Sequence, residues 1–372
     1  MKKPTLQLTT RKLAVFNAIM VSISIGCGLI GGEFLARWLQ LAQPVYPSSE
    51  LALNLYYTDP NGLIRLTPTW QGYIGGIWTT ISEQGWRDRL FTHVPPANIT
   101  RIVVLGDSYT MGDGVKLEDA YPKQLESFLL SAGDHVEVMN CGVSATNSLN
   151  QLAILQQVIT DYHPHLVILG YNINDFDYPS MTKFERQKAA GVDFEILPDQ
   201  RVRALPHHYT RFQQIKLALR NQSYLYRYFA HTRERWQTPT KQSVNPVEQW
   251  MQQGTHLRSF EAVAQMNKVC QEHQTRFFVA ILPDLLDVAS TVHDFQAYPY
   301  LEVHAIIKNA FEREMIDYRD LLPAFSGYDP QVLVVHPLDH HFNQKGNYII
   351  AQAIFETIHA LFLKGIPYEG KL

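Results

Sequence analysis

The chain has 372 residues, enough for one sizeable domain and additional segments. Its formal net charge of -3 makes no electrostatic case for nucleic acid as a partner. Three cysteines, Cys27, Cys141 and Cys270, have neither metal-ligand spacing nor the density of a disulfide framework, and they assign no compartment.

The first predicted element is an apolar helix. Residues Leu13 to Gly32 carry no charged side chain. At about 1.5 Å per residue, a run of that length covers a hydrocarbon core of about 30 Å. Lys2, Lys3, Arg11 and Lys12 precede it, and Glu33 and Arg37 follow. The positive-inside bias then keeps the N-terminus cytoplasmic and puts the rest outside. This divides the chain into a basic tail (1–12), a membrane anchor (13–41), a linker with a β-rich lead-in (42–100) and a larger domain (101–372). A cleaved signal peptide is the alternative, but the run exceeds a usual h-region and no convincing A-x-A site closes it. Lipidation of Cys27 after Ser24-Ile-Gly26 is a third reading, and there the apolar run continues past the cysteine. Gly28 and Gly32 have a small-xxx-small spacing that could pack two anchors.

Pro44 to Ser49 reads as a linker. Leu63 to Ile81 carries Gly, Trp, Tyr and Thr in short alternating runs, which predicts a small β-rich segment with a hairpin around Gly75-Gly76. From Arg101 short apolar runs alternate with amphipathic stretches. Strands are predicted at 101–105, 136–139, 166–170, 276–282 and 315–318. Helices are predicted at 120–132, 148–161, 256–273, 299–313 and 344–363. This alternation implies a parallel sheet with helices on both faces, and right-handed crossovers put all strand carboxyl ends on one rim. Residues Phe176 to Gly254 break the rhythm as an insertion with at least one helix, about 211–235. It is read either as a lid or substrate wall, or as a solvated excursion or a surface on lipid headgroups. His207 and His208 within it read as surface residues.

Four stretches carry polar residues at strand ends or before the last helix. Gly106-Asp107-Ser108 follows the apolar run Ile102–Leu105, so Ser108 stands where open α/β sheets keep their ligands, as a nucleophile or as a helix cap. Gly142, in Asn140-Cys141-Gly142, follows the second strand and can bring a backbone N–H close to a ligand. Asn174, in Gly170-Tyr-Asn-Ile-Asn-Asp175, follows the third strand and offers a neutral amide donor for an oxyanion. His336-Pro-Leu-Asp339-His340-His341-Phe-Asn343 precedes the last helix, and there Asp339 could hold an imidazole that reaches Ser108.

These four blocks, in this order over about 101–365, resemble the SGNH (GDSL-like) hydrolases. The matching residues are Gly106-Asp107-Ser108-Tyr109-Thr110, Gly142, Gly170 through Asp175, and His341 with Asn343 and Gly346. The segment Ile81-Ser-Glu-Gln-Gly85-Trp-Arg-Asp88 also resembles membrane-anchored relatives of that family. The resemblance implies a flavodoxin-like three-layer sandwich with a mostly parallel five-stranded sheet. It implies Ser108 as nucleophile and His341 as general base. The oxyanion hole it implies consists of the Ser108 and Gly142 N–H groups and the Asn174 side chain, with no cofactor and no metal. One departure is that Leu338 stands three residues before His341, where the family often has Asp. Asp339 lies two before it, a spacing that resembles the branch handling O-acetyl groups on exported polysaccharides. Asp339 is therefore the expected orienter, against the alternatives of a cap for the helix near Asn343 or a partner for Lys345.

His340 competes with His341 for the base, and the spacing to Asn343 and Gly346 favours His341. The bunching of His336, Asp339, His340 and His341 makes no convincing zinc shell. Asp107 and Asp175 read as turn-bonding residues, and Cys141 as small and buried. Tyr109, Tyr171 and Phe176 read either as pocket lining or as packing. The expected activity is serine-dependent hydrolysis or transfer of O-acyl groups, O-acetyl above all, on an exported glycan or a small ester. The other readings are a lipid esterase and a non-catalytic glycan-binding envelope protein.

Overall fold

The apolar run forms one helix, α1 (Thr10–Trp38), long and apolar enough to cross a membrane, with a mean hydropathy of 2.2 in its most apolar window. It ends short of residue 41, where the Leu41 N–H closes back on Ala36 O. The structure, a computed structural model of the whole chain, describes residues 10–39, 41, 55–58, 64–74, 76–144, 146–176, 193–196, 202–205, 210–237, 251–252, 254–285, 298–336 and 339–359. The linker at 44–49 and His207-His208 lie outside these. Two compact units emerge, Met1–Pro44 with Phe212–Lys241, and Val45–Arg211 with Gln242–Leu372.

In the larger unit, β1 (Tyr56–Thr58) pairs antiparallel with β2 (Ile64–Leu66). The expected hairpin follows. β3 (Gln71–Ile74) pairs with β4 (Ile77–Thr80), Ile74 lies opposite Ile77, and Gly76 takes a positive φ of 78° in the turn. Then come β5 (Thr100–Gly106), the one-turn helix α2 (Ser108–Met111), α3 (Tyr121–Ser131), β6 (Val136–Gly142), α4 (Ser148–Tyr162) and β7 (Leu166–Tyr171). The insertion contains a hairpin of β8 (Asp193–Ile196) and β9 (Val202–Leu205), then α5 (Arg211–Gln222) and α6 (Tyr224–Gln237). The chain resumes with α7 (Thr255–Glu272), β10 (Arg276–Ile281), α8 (Leu301–Arg313) and β11 (Tyr318–Asp320). A hairpin of β12 (Val334–His336) and β13 (Asp339–Phe342) leads into α9 (Gln344–Ile358).

The five long-range strands order as β11-β10-β7-β5-β6, every pair parallel. In chain order this is 2-1-3-4-5, the flavodoxin-like arrangement. The reason lies in the strand sequences. Ile102 and Val104 of β5 pack into one core with α3 and α9, while Val103 and Leu105 pack into the other with α4, α7 and α8. A strand apolar at every position has two faces to bury, so helices must cover both. Each fully buried Val, Ile or Leu contributes about 1.5–3 kcal/mol.

The fifth strand lies later than predicted. Met315 is left-handed with a φ of 50°, and the Ile316 N–H closes on Phe311 O, so 315–316 finish the C-terminal cap of α8 and β11 starts at Tyr318. The stretch predicted to hold at least one helix at about 211–235 holds two. Ser223 interrupts it and caps α6, its Oγ accepting from Tyr226 N–H at 3.0 Å.

Candidate active site

Because β5 has neighbours reached by crossovers on both sides, the crevice of the sheet opens at the carboxyl ends of β5 and β7. Ser108 follows β5 directly and opens α2. Asp107 caps that helix, accepting from Tyr109 N–H at 3.0 Å. Ser108 is thus a first-turn residue, and its N–H is one that no helical carbonyl takes.

Glycines let this helix sit close to the sheet. A Cβ on Gly142 would lie 2.3 Å from Met111 N, and one on Gly170 would lie 2.3 Å from Tyr121 Oη. Thr110 Oγ1 and Tyr121 Oη share a hydrogen bond of 2.7 Å above Gly170.

His341 arrives from the far end of the chain on β13. Its Nδ1 lies 2.5 Å from Asp339 Oδ1, and its Nε2 lies 2.7 Å from Ser108 Oγ. A carboxylate only accepts, so Nδ1 carries the proton. In the neutral ring Nε2 then accepts from the Ser108 hydroxyl. Asp339 also accepts from the His341 backbone N–H at 3.1 Å, which fixes the two-residue turn between them. His340 stacks on His341, ring centroids 5.6 Å apart, and it is His341 that contacts the serine. The cap of α9 is Asn343, accepting from Lys345 and Gly346 N–H. Asp339 is therefore committed to the imidazole rather than to that helix.

The charges follow the geometry. Burial alone would push the His341 imidazole down, but the Asp339 carboxylate outweighs it and holds the ring up at about 9. Burial pushes the Asp339 carboxyl up, and the His341 charge and its two hydrogen bonds pull it down to about 2. Asp113 adds negative charge near His341. It is buried beside Ser144, whose Oγ lies 2.9 Å from both its carboxylate oxygens, and burial pushes its own carboxyl up.

The three expected oxyanion donors are not equally open. The Gly142 N–H donates to Asn140 Oδ1 at 3.0 Å. In this structure that N–H is taken by the Asn140 side chain, and Gly142 also gives α2 its clearance over the sheet. One proton of the Asn174 amide goes to Asp107 Oδ2 at 2.7 Å, and an amide nitrogen carries a second. Asp107 therefore joins two site loops, as well as capping α2. Asp175 accepts from Asn172 N–H within its turn and from Gln151 Nε2 of α4.

Tyr171 and Phe176 are core residues, with Tyr171 Oη 2.7 Å from Ser259 Oγ. Tyr109 is buried against the ring of His341, centroids 5.1 Å apart. Burial pushes the Cys141 thiol well up, which suits a packed residue. Among the described residues no three His, Cys, Asp or Glu side chains are grouped to hold a metal ion.

Sequence reasoning missed the buried cation beneath the site. Arg87 donates from Nη1 to Met111 O at 3.0 Å and Gly112 O at 2.5 Å, and from Nη2 to Val115 O at 2.6 Å. It thereby holds the carbonyl end of α2. Next to it, Asp88 accepts from Asn140 N–H at 2.9 Å and pairs with Lys123. The available signal was the Gly85-Trp-Arg-Asp88 segment, noticed as a resemblance but without a role.

No family model matches the chain. A curated arylesterase of Vibrio mimicus is 35% identical over 75 residues, which are 20% of this chain and 38% of that protein. The chain thus matches well under half the length of that relative. Among solved structures, TesA is similar over 71% of this chain and 100% of its own, with 12% identity and a TM-score of 0.42. A mutant of the acetyl-xylooligosaccharide esterase Axe2 from Geobacillus Stearmophilus is similar over 70% of this chain and 94% of its own, with 14% identity and a TM-score of 0.41.

Proposed function

We propose that this chain, which carries the four ordered sequence blocks of the SGNH hydrolases on a flavodoxin-like sheet, is a serine-dependent esterase or acyltransferase acting on O-acyl groups of an exported glycan. The observation that carries the reading is the contact of Ser108 Oγ with His341 Nε2 at 2.7 Å, with His341 Nδ1 in turn on Asp339. Two residues 233 positions apart are brought to hydrogen-bond distance at the mouth of a sheet crevice. The arylesterase likeness in sequence agrees with ester chemistry.

Neutral His341 takes the proton of Ser108 Oγ as that oxygen bonds to the ester carbonyl carbon. The oxyanion is met by the Ser108 N–H and the second proton of the Asn174 amide. One such donor contributes about 3 kcal/mol to the transition state. His341 then gives its proton to the departing alcohol, leaving an acyl group on Ser108. Water or a sugar hydroxyl, deprotonated by His341, attacks that acyl carbon and releases Ser108. Asp339 holds the ring in the required tautomer throughout and stabilises the imidazolium.

O-acetyl groups are the favoured cargo on two grounds. The Asp-x-His spacing at 339–341 resembles the branch that handles them, and the basic residues before α1 favour an outward-facing domain. A serine-directed phosphonate should label the wild-type protein and not Ser108→Ala. Equal labelling of both refutes the nucleophile. Acetylated oligosaccharides should lose or exchange mass in steps of one acetyl unit, and acyl esters of long-chain lipids turned over in preference would refute the substrate class.

A further inference from the structure

In the smaller unit, Glu33 sits near the carboxyl end of the apolar helix α1, yet its carboxylate is fully employed. It accepts from Ser223 Oγ at 2.7 Å and from the first N–H groups of α6, Tyr224 at 3.0 Å and Leu225 at 3.0 Å. Arg37 pairs with it at 2.7 Å and donates on to Gln222 O at 2.6 Å. Leu225 packs close over Gly32, where a Cβ would lie 3.1 Å from its methyl. The α5–α6 hairpin is therefore clamped to the last turns of α1 by a charged cap.

The faces this clamp presents are not those of a solvated hairpin. Phe212, Ile215 and Leu219 follow one another at helical spacing on α5 and are 76%, 59% and 42% exposed; Phe229 on α6 is 62% exposed. Ile30, Phe34, Ile215, Leu219, Leu225 and Phe229 line an open groove of about 1080 Å³ between α1 and the hairpin. Lys216, Arg233 and Arg37 stand at the same groove. Among the described residues the only acid lining it is Glu33, already paired with Arg37.

We infer that the α5–α6 hairpin is a second membrane contact, seated in the headgroup–acyl boundary of a bilayer carrying anionic lipid, beside the point where α1 leaves it. The apolar stripe enters the acyl edge, and Lys216 and Arg233 reach anionic headgroups. A bilayer is favoured over a partner protein by continuity. The groove is walled by the same helix that is long and apolar enough to cross the membrane, so lipid is already at its edge. The inference rests on α1 lying in the bilayer.

The full chain is reconstituted in vesicles of phosphatidylcholine and phosphatidylglycerol containing a spin-labelled lipid quencher. A fluorophore is attached to the native Cys27, the exposed cysteine of α1; Cys141 and Cys270 are buried. In a Cys27→Ser background it is attached instead at Phe212→Cys, Phe229→Cys or the exposed Lys268→Cys. Labels at 27, 212 and 229 should shift to the blue and lose most of their emission to the quencher, and the label at 268 should lose little. Quenching at 27 with water-like emission at 212 and 229 overturns the inference while leaving the anchor standing. No quenching at 27 removes the anchor and the inference with it. Equal quenching at 212 and 229 in pure phosphatidylcholine overturns the role of anionic headgroups. Glu33→Ala should release the hairpin and restore emission at 212 and 229, and unchanged quenching there overturns the clamp.

Discussion

At the scale of single residues the His341 imidazole is governed by a balance of opposing effects. Burial disfavours the charged imidazole of His341, and the Asp339 carboxylate favours it by more, so the ring is held up at about 9. A general base works only when neutral, so kcat/KM should rise with pH through that raised value. Replacing Asp339 by Asn leaves burial in charge. The rising limb of the pH profile should then move below the ordinary imidazole value of 6.5, and kcat should fall by about 10⁴-fold through loss of the tautomer. A pH–rate profile of both proteins on a soluble acetyl ester checks this, and an unmoved limb would deny Asp339 its role. The meeting of Ser108, His341 and Asp339 was legible because each is a chemical type at a motif spacing. The hydrogen-bond state of the expected donors was not. Gly142 looks like an oxyanion glycine in the sequence, but whether an N–H is open depends on the neighbouring Asn140 side chain, which folding alone decides. It also carries a steric constraint, so Gly142→Ala should displace α2 and lower kcat while a denaturation curve changes less.

At the scale of elements, two buried arginines hold loops to the sheet at opposite ends of β5. Arg101, at the amino end, is wholly buried. It donates from Nε to Glu137 at 2.7 Å and from Nη1 to His93 O and Tyr162 O, joining lead-in, β6 and α4. Arg101→Met strands Glu137 and two carbonyls, so it should cost about 3–5 kcal/mol in urea denaturation. Arg87 acts at the other end, on the carbonyls of Met111, Gly112 and Val115. Its loss should lower kcat more than it raises KM, because Ser108 is mispositioned while the rest of the crevice is intact. Arg87→Lys should recover less than half of the activity, since one ammonium cannot span three carbonyls. An unchanged kcat in Arg87→Met would leave Arg87 as scaffold only. The strands were legible, because apolar runs buried on both faces need helices on both sides, whereas their order followed only from the family resemblance. β11 was misplaced because the cap of α8 takes up Met315 and Ile316, which read as apolar strand residues in the sequence. The break at Ser223 was hidden for a related reason: a single residue parts α5 from α6, and only its capping bond marks the new start.

At the scale of the whole molecule, the grouping of residues 1–44 with 212–241 was invisible in the sequence. Its chief contact pairs Glu33 with a helix start about 190 positions away, and no local pattern announces such a partner. That contact bears on the fate of α1. A signal peptide is removed once it has delivered its cargo, and nothing in the mature fold then depends on it. Here Glu33 supplies the cap of α6, and Arg37 a bond to Gln222, so cleavage after α1 would leave the first N–H groups of α6 without their acceptor. The protein should accordingly keep its N-terminus, as intact mass of the membrane fraction will show, and should resist alkaline carbonate extraction. With Arg11 and Lys12 ahead of the apolar run, a reporter fused after residue 359 should be active only outside the cytoplasm. A processed N-terminus beyond residue 38 would remove both the anchor and the carboxylate on which the hairpin closes.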